Sequence, residues 1–268
     1  MKPIEAIIRS AEQNPSSPAQ AACQGVAGAF SHRACLEVFD QPDIQFYPQF
    51  EDVFRAVSLG ERRYGMIPIE NTLAGSVTDN YDLMLQYRLY IVGTVKVKIE
   101  HSLLVLPGTK LSDIKQVYSH EQALRQCSDF LKAHPSIASH PFSNTAASAK
   151  FVAEQNDPSI AAIGSLECAR MYGLEVLAQS IQNRRDNFTR FVVLARESVT
   201  HPGCNRISLV VRVKHQAGAL YRALSRFADQ EINLLKLESR PIPDSPFEFL
   251  FYWDFEGNME QKNVITAL

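Results

Sequence analysis

Residues 175–195, EVLAQSIQNRRDNFTRFVVLA, hold two strand-like runs, EVLAQS and TRFVVLA, on either side of the polar loop QNRRDNF. The second run reads as a last strand that returns to the first half of the chain. Working back from it, residues 116–173 alternate as strand QVYS, helix HEQALRQCSDFLKAH, strand SIAS, helix NTAASAKFVAE, strand SIAAIG and helix SLECARMYG. Leu124, Cys127 and Leu131 recur at helical spacing, as a core-facing stripe does. Residues 21–106 alternate likewise: strand AACQG, helices SHRACLEVF and EDVFRAVSL, strand YGMIPIE, helix TDNYDLMLQY and the β-rich run LYIVGTVKVKIEHSLLVL, which ends at Pro107-Gly108.

Alternating strands and helices argue for open α/β sheets. The expected catalytic domain covers residues 21–196 in two lobes, lobe one at about 21–98 and 180–196 and lobe two at about 99–179, joined by crossing strands. A cleft between two such lobes is a usual place for a small ligand. Residues 1–20 are polar and proline-containing and read as an N-terminal arm. After the linker-like ESVTHPGCN come strand ISLVVRV, helix AGALYRALSRFADQ, strands INLLKLESR and FEFLFYWDF, and a helical start at Glu260. That β-α-β-β-α order over 205–268 begins a ferredoxin-like unit, an α+β arrangement whose last strand is not in the sequence.

The 268 residues carry a formal charge of −2, with 46% hydrophobic and 21% charged residues, which is the composition of a globular protein. No basic stripe suits nucleic acid, and no run of about 18 apolar residues suits a membrane span. Five cysteines with no CxxC pair, together with an N-terminus lacking a signal-peptide core, point to the cytoplasm. None of the seven histidines pairs at i, i+4, so no metal or other cofactor is expected.

Five segments place polar groups where strands give way to helices, the positions that face a crevice in open α/β sheets. In Gly25-Val-Ala-Gly-Ala-Phe-Ser31, two glycines permit a tight turn, Ser31 can cap the next helix, and exposed amides suit an anion. Pro68 to Gly75 runs a strand into Glu70, Asn71 and Thr72. Ser119 and Gln122 have capping-box spacing, and Asn144-Thr145 stands at a helix start. In Asp186 to Phe191, strand alternation puts Thr189 and Phe191 on one face and Arg190 on the other.

In this order the segments resemble the prephenate dehydratase family. The family's Gly-Pro-x-Gly-Thr-Phe-Ser is similar to Gly25–Ser31, with Val26 and Ala29 replacing proline and threonine. Its Pro-Ile-Glu-Asn-Ser-x-x-Gly-x-Val is similar to Pro68–Val77, with Thr72 for serine. Ser119–Ala123, Thr145-Ala146 and the unchanged Asn187-Phe188-Thr189-Arg190-Phe191 complete the set. Residues 205–268 resemble the ACT regulatory domain.

The resemblance implies a two-lobed catalytic domain like the periplasmic-binding-protein fold and a C-terminal ferredoxin-like ACT domain. It also implies decarboxylating dehydration of prephenate to phenylpyruvate, with feedback inhibition by L-phenylalanine. Thr189, Asn71 and Glu70 are the implied catalytic residues, with Thr189 donating to the leaving hydroxyl. Ser31, Thr72, Thr145, Arg190 and Phe191 are the implied substrate contacts, Arg190 being open to a structural reading as well. Gly218, Ala219, Leu220, Asn233, Glu238, Ser239, Arg240 and Pro241 are the implied phenylalanine site, read from sequence alone as a helix-start glycine and a strand-end turn. An ACT domain implies a homodimer or homotetramer. Arogenate dehydration and a non-catalytic small-molecule binding module are the alternatives.

Overall fold

The computed structural model describes residues 18–198, 203–242 and 245–268, in two compact units, 18–197 and 198–268. The expected N-terminal arm lies outside the described residues, apart from its last three positions.

The first unit begins with β1 (Gln20–Gln24), α1 (Phe30–Val38), β2 (Asp43–Tyr47), α2 (Phe50–Leu59), β3 (Tyr64–Asn71), β4 (Gly75–Ser76), α3 (Thr78–Tyr87) and β5 (Tyr90–Lys98). It continues with β6 (Ser102–Val105), β7 (Gln116–Ser119), α4 (Glu121–Gln126), α5 (Ser128–Ala133), β8 (Ala138–Pro141), α6 (Thr145–Gln155), β9 (Ile160–Gly164), α7 (Leu166–Tyr172), β10 (Glu175–Ala178) and β11 (Phe188–Ala195). One sheet has the order β2-β1-β3-β11-β5, with β4 hydrogen-bonded to β3, and the other has the order β10-β6-β9-β7-β8. β11 runs antiparallel between β3 and β5, so the TRFVVLA run does return to the first half of the chain.

Phe191 and Val193 pack with Cys23, Cys35, Met66 and Val97 on the α1 side of the first sheet. The second sheet is enclosed on both faces, by the Leu104, Ala149, Ile160 and Leu174 cluster and by the Leu103, Val117, Leu124 and Ile163 cluster. The sheets are joined by the short connection after β5 and the longer one before β11. These bond to each other: Ile181 N–H donates to His101 O (2.9 Å), and Ile99 N–H donates to Asn187 O (2.8 Å).

Several local expectations need correction. Ser31 does not cap α1, because the chain turns helical two residues earlier, after an extended Ala29 with no capping side chain. The unpaired Gly28 N–H is instead accepted by His32 Nδ1 at 3.1 Å. Ser119 is a strand residue whose hydroxyl donates to Ile163 O at 2.7 Å, and His120 is the N-cap, its side chain accepting from Gln122 N–H. The expected helix over 120–134 is two helices broken at Cys127. The Gln126 carbonyl, which would accept from Phe130 in a continuous helix, takes Asn183 N–H at 2.7 Å instead. The strand expected at 136–139 lies two residues later, and β2 was not anticipated.

The second unit holds β12 (Arg206–Arg212), α8 (Ala219–Ala228), β13 (Leu234–Ile242), β14 (Ser245–Glu256) and α9 (Lys262–Ala267). Its antiparallel sheet has the order β12-β14-β13, with Trp253, Phe255, Phe227, Ile232 and Val264 at its core. Glu238–Pro241 is not a strand-end turn. It lies within β13, where Glu238, Ser239, Arg240 and Pro241 pair with Tyr252, Phe251, Leu250 and Phe249. No helix among the described residues is long and apolar enough to cross a membrane.

Candidate active site

Antiparallel pairing of β3 and β11 sets Asn71 opposite Thr189. Asn71 is buried, and its Oδ1 accepts the N–H groups of Leu73 (3.0 Å) and Ala74 (2.9 Å). Backbone N–H groups only donate, so these two bonds fix which end of the amide is oxygen. Its Nδ2 then donates to Asn187 Oδ1 (2.7 Å), Thr189 Oγ1 (2.9 Å) and Phe188 O (3.1 Å). Thr189 Oγ1 therefore accepts from Asn71 and keeps its own proton to donate.

The order continues into the other lobe. Asn187, buried and with its oxygen accepting, donates through Nδ2 to Gln126 Oε1 at 3.0 Å. His101 Nε2 lies 3.0 Å from the same oxygen. His101 is 2% exposed, lies 5.9 Å edge-on from the Phe30 ring, and donates its backbone N–H to Gln182 Oε1. Burial lowers its pKa, and the Gln126 bond opposes that only in part.

The remaining anticipated residues divide by geometry. Thr72 gives its hydroxyl proton to Asp186 O (3.0 Å) and accepts Phe188 N–H (3.0 Å), tying the end of β3 to the start of β11. Glu70 faces Arg190, with Nε to Oε1 at 2.8 Å, and Arg190 is 4% exposed. Cross-strand pairing and alternation put this ion pair on the sheet face opposite Thr189 and Phe191. Glu70, Arg190, Lys96, Asn71, Thr72 and Phe188 are among the residues that line a 560 Å³ cavity. Phe191 is in the core.

Ser31 and Thr145 lie in the first turns of α1 and α6, and neither hydroxyl has a protein partner among the described residues. Within the Gly25–Ala29 loop, the N–H groups of Gly25, Gly28 and Ala29 are bonded within the protein. The loop docks on α7, where Tyr172 Oη donates to Ala27 O (2.6 Å) and Cys168 Sγ donates to Gly28 O (3.2 Å). Gly28, at φ +87°, leaves 3.1 Å between an added Cβ and Cys168 Sγ.

In the second unit, Gly218 precedes α8 with φ +75°, Ala219 and Leu220 form its first turn, and Asn233 O accepts Glu256 N–H at 3.0 Å. Sequence reasoning missed Gln126, His101 and Gln182. Gln126 lay in the middle of the helix expected over 120–134, where nothing in the sequence set it apart.

The model of the prephenate dehydratase family matches residues 21–199, which contain this whole hydrogen-bonded set. The chain belongs to the prephenate dehydratase family. Arogenate dehydratase 2 of Petunia hybrida is 39% identical, the match covering 100% of this chain and 72% of the relative. A solved prephenate dehydratase from Arthrobacter aurescens, in complex with L-Phe, is 31% identical with a TM-score of 0.84, over 92% of this chain and 83% of that one. A structure described as GqqA, a novel type of quorum quenching acylase, also aligns at 31% identity and a TM-score of 0.84, over 92% of this chain and 91% of that one. The prephenate dehydratase domain is thus the part of this chain whose family is fixed.

Proposed function

We propose that this chain converts prephenate to phenylpyruvate, and that the Asn71–Thr189 hydrogen bond carries the chemistry. In this elimination the bond from ring to carboxylate breaks and CO2 leaves. Its electron pair enters the ring as the C–O bond to the ring hydroxyl breaks, and the departing oxygen takes a proton and leaves as water. Aromatisation supplies the driving force. Asn71 directs an N–H at Thr189 Oγ1, so the threonine proton is aimed away from the amide, toward a leaving hydroxyl.

Ser31, Thr145 and the Gln126 carboxamide are neutral donors for the substrate carboxylates. Neutral donors suit a carboxylate that must become CO2, because a tightly held anion resists that change. The Arg190–Glu70 pair, buried on its arginine side only, holds β3 in register with β11 and acts from behind the site. Thr72 serves the same end.

Residues 205–268 act as an ACT regulatory domain for L-phenylalanine in a homo-oligomer. The β-α-β-β-α order, the Gly218–Leu220 helix start and Glu238–Pro241 on the edge strand β13 support this reading, as does the L-Phe complex of the Arthrobacter relative. Arogenate is the second substrate to test, given the Petunia relative. The deciding experiment follows phenylpyruvate formation from prephenate, and phenylalanine from arogenate, by the purified chain with and without added L-phenylalanine. Turnover of prephenate that L-phenylalanine suppresses supports both halves; turnover of arogenate alone moves the reading to the sister reaction; inertness toward both overturns it.

A further inference from the structure

The two backbone N–H groups on Asn71 Oδ1 decide more than the asparagine's own orientation. They make Asn71 Nδ2 the donor to Asn187, which makes Asn187 Nδ2 the donor to Gln126 and leaves the Gln126 oxygen as an acceptor. An oxygen accepting from Asn187 can pair with His101 Nε2 only if that nitrogen carries the proton. His101 is therefore the Nε2–H tautomer, with a bare Nδ1. Consistently, Nδ1 is buried and has no partner among the described residues, so a proton placed there would have no acceptor.

With its oxygen held from two sides, the Gln126 carboxamide cannot flip. Its NH2 group points away from both donors, and it has no protein partner among the described residues. We propose that His101 is a positioning residue for the dehydration, clamping the Gln126 oxygen so that the Gln126 NH2 is presented to the substrate beside Thr189. The proposal rests on the dehydratase reading above. His101 is suited to the task because it lies in one connection between the lobes and is anchored to the other: its backbone N–H donates to Gln182 Oε1 (3.0 Å) and its carbonyl accepts from Ile181. The clamp therefore fixes a lobe-two side chain relative to the β3–β11 junction of lobe one.

The test is a double-mutant cycle on the full chain, with kcat and KM for prephenate (or arogenate, whichever turns over) measured for His101→Leu, His101→Gln, Gln126→Ala and the His101→Leu/Gln126→Ala pair. His101→Leu is expected to lower kcat/KM by roughly 10- to 100-fold, the scale of a misplaced catalytic group. His101→Gln, which restores an N–H near the Nε2 position, should recover most of that loss. In the Gln126→Ala background, His101→Leu should cost less than about 2-fold, since residues acting as one unit are not additive. Equal cost in both backgrounds overturns the proposal. The ¹⁵N spectrum of the wild-type imidazole gives a readout independent of turnover and of whether the variants fold: a proton on Nδ1 overturns the clamp, and a proton on Nε2 supports it. Wild-type protein inert toward both substrates defeats the dehydratase reading and the assigned role together, whereas an active wild type with an additive cycle defeats only the role of His101.

Discussion

Asn71 Nδ2 stands 2.9 Å from Thr189 Oγ1 and 2.7 Å from Asn187 Oδ1, so one buried amide orients both the Thr189 hydroxyl and the link to the second lobe. Thr189→Ala removes one aimed donor and should lower kcat by about 10²- to 10³-fold. Thr189→Ser keeps the hydroxyl and should stay within about tenfold of wild type. A phenylpyruvate assay checks both, and an alanine variant as active as wild type would remove Thr189 from the mechanism.

Asn71→Asp is nearly isosteric but replaces the donating NH2 with a second oxygen. Facing Asn187 Oδ1 and Thr189 Oγ1, that oxygen loses the donor roles and adds negative charge where a dianion must bind. Activity should fall further than in Thr189→Ala, with KM raised as well as kcat lowered, as steady-state kinetics would show.

Arg190→Ala leaves Glu70 without its 2.8 Å partner. Breaking a fully buried pair costs about 3–5 kcal/mol, but the Glu70 side chain is 33% exposed and solvent reduces the penalty. A loss of about 2 kcal/mol in denaturant unfolding is expected. Unchanged stability with a large rise in KM would instead make Arg190 a substrate ligand on the sequence-based expectation.

Burial lowers the pKa of His101 below its ordinary value of 6.5, and partial desolvation lowers those of His32 and His120 in the same direction. The unfolded chain then binds protons that the folded chain refuses, so stability is full above pH 6.5 and declines as pH falls through the window beneath it. Melting temperature should drop between pH 7 and pH 5, and the drop should be smaller in His101→Gln. A flat profile would show that these histidines accept protons in the folded state.

Gly28→Ala places a side chain at φ +87° and within 3.1 Å of Cys168 Sγ. The backbone cost alone is about 1–2 kcal/mol, and the loop must also shift off α7. Lower thermal stability is expected, together with reduced kcat, since the same loop leads into Ser31 and the Phe30 ring that abuts His101.

Much of this was readable from periodicity. The alternating runs located most of the strands and helices, because buried strands such as IAAIG and FVVLA carry unbroken apolar character. What failed was set by bonds between distant residues. Asn183 breaks the helix at Cys127 from 56 positions away, and no local signal announces it. β2 is a sheet edge whose five residues, DIQFY, are none of them buried, so it lacks a core-strand signature. Asn71 and Thr189 stood out as motif residues, whereas His101 sits in a strand connection with no motif around it. Its place in the site follows from the order of donors and acceptors in the folded chain.

The connections before β6 and after β10 are bonded to each other at His101 and Ile181, and the same histidine reaches Gln126. One residue therefore both joins the two connections and holds the Gln126 oxygen. On the role proposed for His101, a substitution at this junction alters where the Gln126 amide points without replacing any residue that faces the substrate.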